Sequence, residues 1–144
     1  MRRHLQRLIL TVIASVFVLG CWGYRPDLPP TERVTGTVTL DGQPVAGARV
    51  QFVPDKSQGT EGAMASGVTD DQGKYELETA TVKGAIVGFH KISVEARAQP
   101  KDQYDTLPEL LTPQRYTDHN TSGLTAEVNE GEVNQVDLPL TSAP

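Results

Sequence analysis

Val34-Thr35-Gly36-Thr37-Val38-Thr39-Leu40-Asp41-Gly42-Gln43-Pro44-Val45-Ala46-Gly47-Ala48-Arg49-Val50 decides the fold class of this 144-residue chain. Val34, Gly36, Val38 and Leu40 alternate with Thr35, Thr37 and Thr39. A period of two is that of a strand with one buried face. Asp41-Gly42 interrupts the run with residues that favour a tight turn. Ala48, Val50 and Phe52 then resume the pattern on one face of a second strand.

The pattern recurs along the rest of the chain. Met64 to Thr69 reads as a weaker strand, and Asp70-Asp71-Gln72-Gly73 as a tight turn in which Gly73 supplies a positive φ. Tyr75 and Leu77 face inward while Lys74, Glu76 and Glu78 face water. His90, Ile92, Val94 and Ala96 alternate with Lys91, Ser93, Glu95 and Arg97. Leu124, Ala126 and Val128, then Val136, Leu138 and Leu140, mark the last two strands. Nowhere do apolar residues hold a helical period over three turns. Thirteen Gly and ten Pro suit the turns of such a fold. Seven short strands, each with one apolar face, are accommodated by two sheets packed face to face. The expectation is an all-β, seven-stranded β-sandwich over residues 33–141. Val38, Val50, Ile92, Val94 and Leu138 should be buried; Thr37, Lys91, Glu95 and Asp137 should be exposed.

Residues 34–50 resemble the opening of carboxypeptidase regulatory-like domains: a strand, a turn, Pro-hydrophobic-x-Gly-Ala and a second strand. Thr69-Asp70-Asp71-Gln72-Gly73-Lys74-Tyr75 resembles the Thr-Asp-x-x-Gly-x-aromatic turn of that family. Gly88-Phe89-His90-Lys91-Ile92-Ser93-Val94 is similar to its later strand, with His90 where Tyr is commoner. Tyr116-Thr117-Asp118 and Thr121-Ser122-Gly123-Leu124-Thr125 resemble segments of small lipoproteins made of little more than this domain. The resemblance implies a transthyretin-like Greek-key sandwich. It does not imply peptidase activity, since the module is an accessory to the peptidases and fold alone does not fix function.

Upstream, Arg2, Arg3 and Arg7 precede an apolar run from Leu8 to Leu19, and Gly20 and Cys21 follow. These are the parts of a secretory signal in their required order. The run is shorter than the ~20 apolar residues that a permanent spanning helix needs. Val18-Leu19-Gly20-Cys21 resembles the lipobox of bacterial lipoproteins, in which small residues precede a cysteine. The resemblance implies diacylglycerol on the Cys21 sulfur and cleavage before it, so residues 1–20 read as a lipoprotein signal peptide. Cys21 is the only cysteine, which excludes an intrachain disulfide. Residues 21–32, with Pro26, Pro29 and Pro30, read as a lipidated extended tether. Trp22 and Tyr24 suit the membrane interface beside the lipid. The expected location is the cell envelope, with the domain held outside the cytoplasm and the bilayer as partner through acylated Cys21. The net charge of -5 becomes about -8 once residues 1–20, with three arginines and no acid, are removed. Such a surface repels phosphate backbones and argues against nucleic acid as a partner.

No constellation of catalytic groups stands out. His90 shares the inward phase of Ile92 and Val94 and reads as a core residue. His119, beside Asp118, lies in a polar connection; with two histidines after Cys21 and no thiolate to spare, a zinc set is short of ligands. Asp70-Asp71-Gln72-Gly73 lacks the alternating acids and distal Glu of a calcium loop. There is no Gly-x-Ser-x-Gly motif. The chain lacks the Tyr-Arg-Gly-Ser tail of transthyretin-related hydroxyisourate hydrolases and the inward early lysine of isopeptide-linked sandwiches. Sugar binding usually requires exposed aromatic platforms, and no tryptophan stands beyond the tether. No catalytic residue, metal site or cofactor is therefore expected. The 98–123 connection is the anomaly, because loops above ~12–15 residues tend to be functional or mobile. Its Tyr104, Leu107, Leu110, Leu111 and Tyr116 could fold over a sheet edge or form a surface for an envelope protein or polymer. The favoured expectation is a non-catalytic membrane-anchored lipoprotein whose sandwich serves binding, scaffolding or protein contact. A solute- or glycan-binding module and an enzyme with a dispersed site remain the alternatives.

Overall fold

The computed structural model describes residues 29–104 and 106–143. The expected signal peptide, Cys21 and most of the tether lie outside the described residues. Those described form β1 (Thr31–Glu32), β2 (Val34–Leu40), β3 (Gln43–Pro44), β4 (Arg49–Pro54), β5 (Ala65–Val68), β6 (Lys74–Glu76), β7 (Glu78–Thr79), β8 (Val82–Lys83), β9 (Ala85–Ile86), β10 (Gly88–Glu95), β11 (Leu124–Val128), β12 (Asn134–Gln135) and β13 (Leu138–Leu140). Two short 3-10 turns, Lys56–Gln58 and Gln114–Thr117, complete the list. The seven expected strands are β2, β4, β5, β6 with β7, β10, β11, and β12 with β13; the other segments are two-residue additions at their ends.

The fold is an all-β sandwich. Its larger sheet runs β11-β10-β4-β5-β7-β8. In it, β10 returns to lie beside β4 after the β4-β5-β7 sequence, which is the Greek-key order. The smaller sheet centres on β2, with β12 and β13 parallel on one edge and β3 and β6 antiparallel on the other. One strand serves both sheets: β6 pairs with β2, and after Leu77 the chain continues as β7 on β5. Leu77 and the aromatic pair Phe52 and Tyr75, ring centroids 6.5 Å apart, lie between the layers. Val34, Val38, Val50, Phe52, Ile92 and Val94 are fully buried around them, and Leu138 is nearly so. The inward set is thus as expected. Of the outward set, Asp137 is exposed, while Thr37, Lys91 and Glu95 are half-buried.

Ser93 departs from its expected outward, solvated place: only 4% of it is exposed. Phase points it outward, but Gln51 on the paired strand lies against it and its hydroxyl donates to Gln51 Oε1 at 3.3 Å. The centre of a wide sheet is covered by the long side chains on either side.

The break between β12 and β13 has a physical cause. The Val136 carbonyl accepts the Tyr75 hydroxyl at 2.6 Å instead of continuing a ladder. Gly36 is required beneath it, since a Cβ there would stand 1.8 Å from the Val136 oxygen. Asp137 fills the gap: its Oδ1 accepts from the Thr37 amide at 2.9 Å and hydroxyl at 2.8 Å. Those two donors, the hydroxyl first, hold the Asp137 carboxyl below its ordinary range.

Gly73 has φ of 75°, as the turn reading required. A Cβ there would also meet the Val38 carbonyl at 2.6 Å, so two independent constraints select glycine. The last two residues of the expected tether, 21–32, are strand. Thr31 and Glu32 are not free spacer but pair with Ile86 and Ala85, and the Val87 amide donates to the Pro30 carbonyl. An extended, proline-rich segment has unpaired backbone groups, and β9 offers them partners.

Registers define two poles. β1, β9, the start of β10 and the 129–133 turn share one, where the Gly131 amide donates to Glu32. The Asp41-Gly42 and Asp70–Gly73 turns and the far end of β10 share the other.

Candidate functional site

The 98–123 connection links the far end of β10 to the start of β11. β11 pairs with residues 88–92 of β10, leaving the edge of its upper half open. The connection returns along that edge. The Leu111 amide donates to the Ala96 carbonyl at 2.8 Å, the Ala98 amide to the Glu109 carbonyl at 2.8 Å, and Arg97 bridges to Leu110. The buried Thr112 hydroxyl accepts from the Ala96 amide. A bare strand edge is thereby paired.

Beyond it, Gln114–Thr117 crosses toward the end of β13. Tyr116 is buried, and its hydroxyl accepts from the Thr141 amide at 3.2 Å. The Arg115 guanidinium lies over the Tyr116 ring, 4.5 Å from its centroid, and donates to the Thr141 and Ala143 carbonyls. The Ser122 hydroxyl then donates to the Ile92 carbonyl, returning the chain to β10 where β11 begins. The five apolar residues singled out in this segment therefore divide. Tyr116 belongs to the core and offers nothing to a partner, and Leu110 is half-buried in the edge pairing. Tyr104, Leu107 and Leu111 stay 80%, 73% and 48% exposed. A loop fixed at its base presents these three to solvent at the pole away from β1.

His90 is 1% exposed, as its phase indicated. Its Nδ1 lies 3.1 Å from the Gly88 carbonyl, which makes Nδ1 the protonated nitrogen of the neutral ring. Nε2 is buried without a hydrogen-bond partner, and the ring packs on Phe52 with centroids 5.8 Å apart. Burial lowers its pKa below the ordinary histidine value, outweighing the opposing Gly88 bond. Such a ring is held neutral. It is positioned to pack, and no carboxylate stands among its hydrogen-bond partners.

The other sequence candidates are turns and surface. Asp70 Oδ1 accepts from the Gln72 and Lys74 amides, so its carboxylate is occupied in shaping the turn. His119 Nδ1 stands 3.7 Å from Asp118, which itself accepts from the Asn120 amide. His119 lines a shallow groove with Lys56 and Lys91, the latter 4.0 Å from Asp55. Among the described residues, no three His, Cys, Asp or Glu side chains gather as a metal set. A second shallow groove crosses the outer face of the larger sheet past Arg49, Gln51, Met64, Val68 and Glu78.

Sequence reasoning missed Arg115, whose role appears only once the ends of two distant segments are brought together. It also did not mark Phe89, Met64 and Val68 as exposed apolar residues, although they are 41%, 49% and 61% exposed. Alternation could have flagged Met64 and Val68, since Val68 lies in the outward phase of β5 and Met64, just before that strand, continues the same phase. Cys21, the proposed lipid site, lies outside the described residues. No helix among the described residues is long and apolar enough to cross a membrane.

No curated protein and no solved structure matches this chain. One family model does, that of a domain of unknown function, DUF6795, over residues 34–105, half of the sequence. The matched stretch begins at β2 and stops inside the 98–123 connection, so it takes in the larger sheet except β11. It carries the alternating strands, the Asp70–Gly73 turn and His90, and on that match the chain belongs to the DUF6795 family.

Proposed function

We propose that this protein is a non-catalytic envelope lipoprotein, anchored by diacylglycerol on Cys21, whose sandwich is a carboxypeptidase regulatory-like module used for protein contact. The observation that carries the contact role is the loop between Ala98 and Glu109. Its base is fixed at Ala96 and Ala98, just past β10, by backbone hydrogen bonds, yet Tyr104 and Leu107 within it and Leu111 beside it remain in water. Ordering a loop costs conformational entropy, and a base already ordered lowers that cost for a partner. The anchor rests on the position of the sole cysteine, directly after a twelve-residue apolar run and Gly20. Each methylene of an attached acyl chain contributes ~0.8 kcal/mol when buried, so a diacylglycerol holds the protein durably.

Two experiments test the reading. Cys21→Ser should abolish metabolic labelling by fatty acid and release the protein from membranes; undiminished labelling sinks the anchor. Photocrosslinkers at Leu107 and Leu111 in the full chain should capture the same envelope protein, and a Tyr104→Ser, Leu107→Ser double variant should lose that product. Equal capture from a crosslinker at Thr125, on the outer face of β11, would overturn the contact role.

A further inference from the structure

We infer that the β1 pole of the sandwich faces the lipid headgroups at short range, so that Tyr104, Leu107 and Leu111 point away from the bilayer. This rests on the lipid-anchor reading of Cys21 and adds to it an orientation and a distance. The argument begins with the docking of Thr31 and Glu32 on β9. Because Val87 holds Pro30 and Ile86 pairs with Thr31, the length of chain between Cys21 and the docked segment ends near Pro29, not at residue 33. From Cys21 to Pro29 the chain spans at most about 29 Å even when fully extended. The joint is also stiff: the Glu32 carboxylate accepts from Gly131 at 3.0 Å, and Gly84 leaves room for the Glu32 carbonyl, where a Cβ would stand at 2.1 Å. The anchor therefore leaves the domain at the end of the strands where β1 and β9 lie. β10 alone separates the poles by about 26 Å at ~3.3 Å per residue. A tether no more than comparable in length to the domain it carries limits how far that domain can turn over.

The bilayer-facing pole shows Val133, 93% exposed, and Val82, 40% exposed, among charges of both signs: Arg33, Lys56, Lys83, Glu61, Glu130 and Glu132. That mixture gives no strong attraction to an anionic surface, so the approach is set by the tether and not by adsorption.

The test uses the lipidated full chain in vesicles of phosphatidylethanolamine and phosphatidylglycerol bearing a headgroup-linked energy acceptor. With Cys21 acylated, an engineered cysteine is the sole free thiol. A donor dye on Val133→Cys should report a distance to the headgroup plane shorter by about 20 Å or more than one on Asp71→Cys, in the opposite turn. Both sites are exposed, so neither substitution threatens the fold. Equal distances, or a shorter one from Asp71→Cys, overturn the orientation. If the mass lacks the diacylglycerol adduct and the chain stays in the supernatant, the anchor itself has failed, an outcome read before any distance is measured.

Discussion

Ala80 has φ of 55° in the two-residue Ala80-Thr81 turn that joins β7 to β8. A Cβ in the left-handed region costs ~1–2 kcal/mol, and glycine avoids that while adding some unfolded-state entropy. Ala80→Gly should therefore stabilise the domain by ~0.5–1 kcal/mol, raising the urea midpoint; an unchanged or lower midpoint would contradict the strain. His90 gives the second expectation at this scale. Its pKa is lowered in the folded state, so below an unfolded value near 6.5 the unfolded chain binds the extra proton. Stability attributable to this ring is complete above that value and falls as pH drops toward the folded pKa. Carboxylates such as Asp137, lowered by the Thr37 donors, lose theirs in a separate window near and below ~4. Urea midpoints at pH 7.5 and 5.5 should thus differ in the natural chain. His90→Tyr should keep cooperative unfolding and flatten the difference. A variant that retains the full slope would place its origin elsewhere.

The 98–123 connection behaves as an edge cover with an exposed apolar loop at its tip, and the two parts should respond differently to truncation. Tyr116→Ala removes a buried ring and leaves the Thr141 amide without its acceptor, a loss of ~3–5 kcal/mol. Limited proteolysis between residues 98 and 123 should rise with it. Leu107→Ala should stay within ~0.5 kcal/mol of the natural chain. Matching losses for both would mean that Leu107 is packed and not presented. Strands with one wet face were legible in the sequence because alternation is a local signal: β2 and β10 announce their inward sets residue by residue. What escaped depends on a neighbour far along the chain. Ser93 is hidden by Gln51, the β12–β13 break follows from the Tyr75 hydroxyl, and β1 exists because β9 lies beside it. The candidate surface was half legible for the same reason, since apolar composition flags Tyr104 and Tyr116 alike and only packing separates them.

Across the whole molecule, one core is shared by two sheets and no disulfide supports it. Ile92→Ala, at full burial, should cost ~2–5 kcal/mol from a total on the order of 5–15 kcal/mol. A midpoint shift well below that range would mean the site collapses around the loss. The smaller sheet raises a different matter, that of timing. β2, the first long strand, has Asn134, Gln135 and Leu138–Leu140 as its parallel partners along one edge. About a hundred residues separate them in sequence, and long-range pairing of this kind slows folding. A chain emerging N-terminus first must therefore hold β2 half-paired, with its apolar face and one edge open, until residues 134–140 have emerged. During that interval the Val34–Leu40 segment is the part most open to pairing with a neighbouring chain, and a protein that shields extended strands would act on it there.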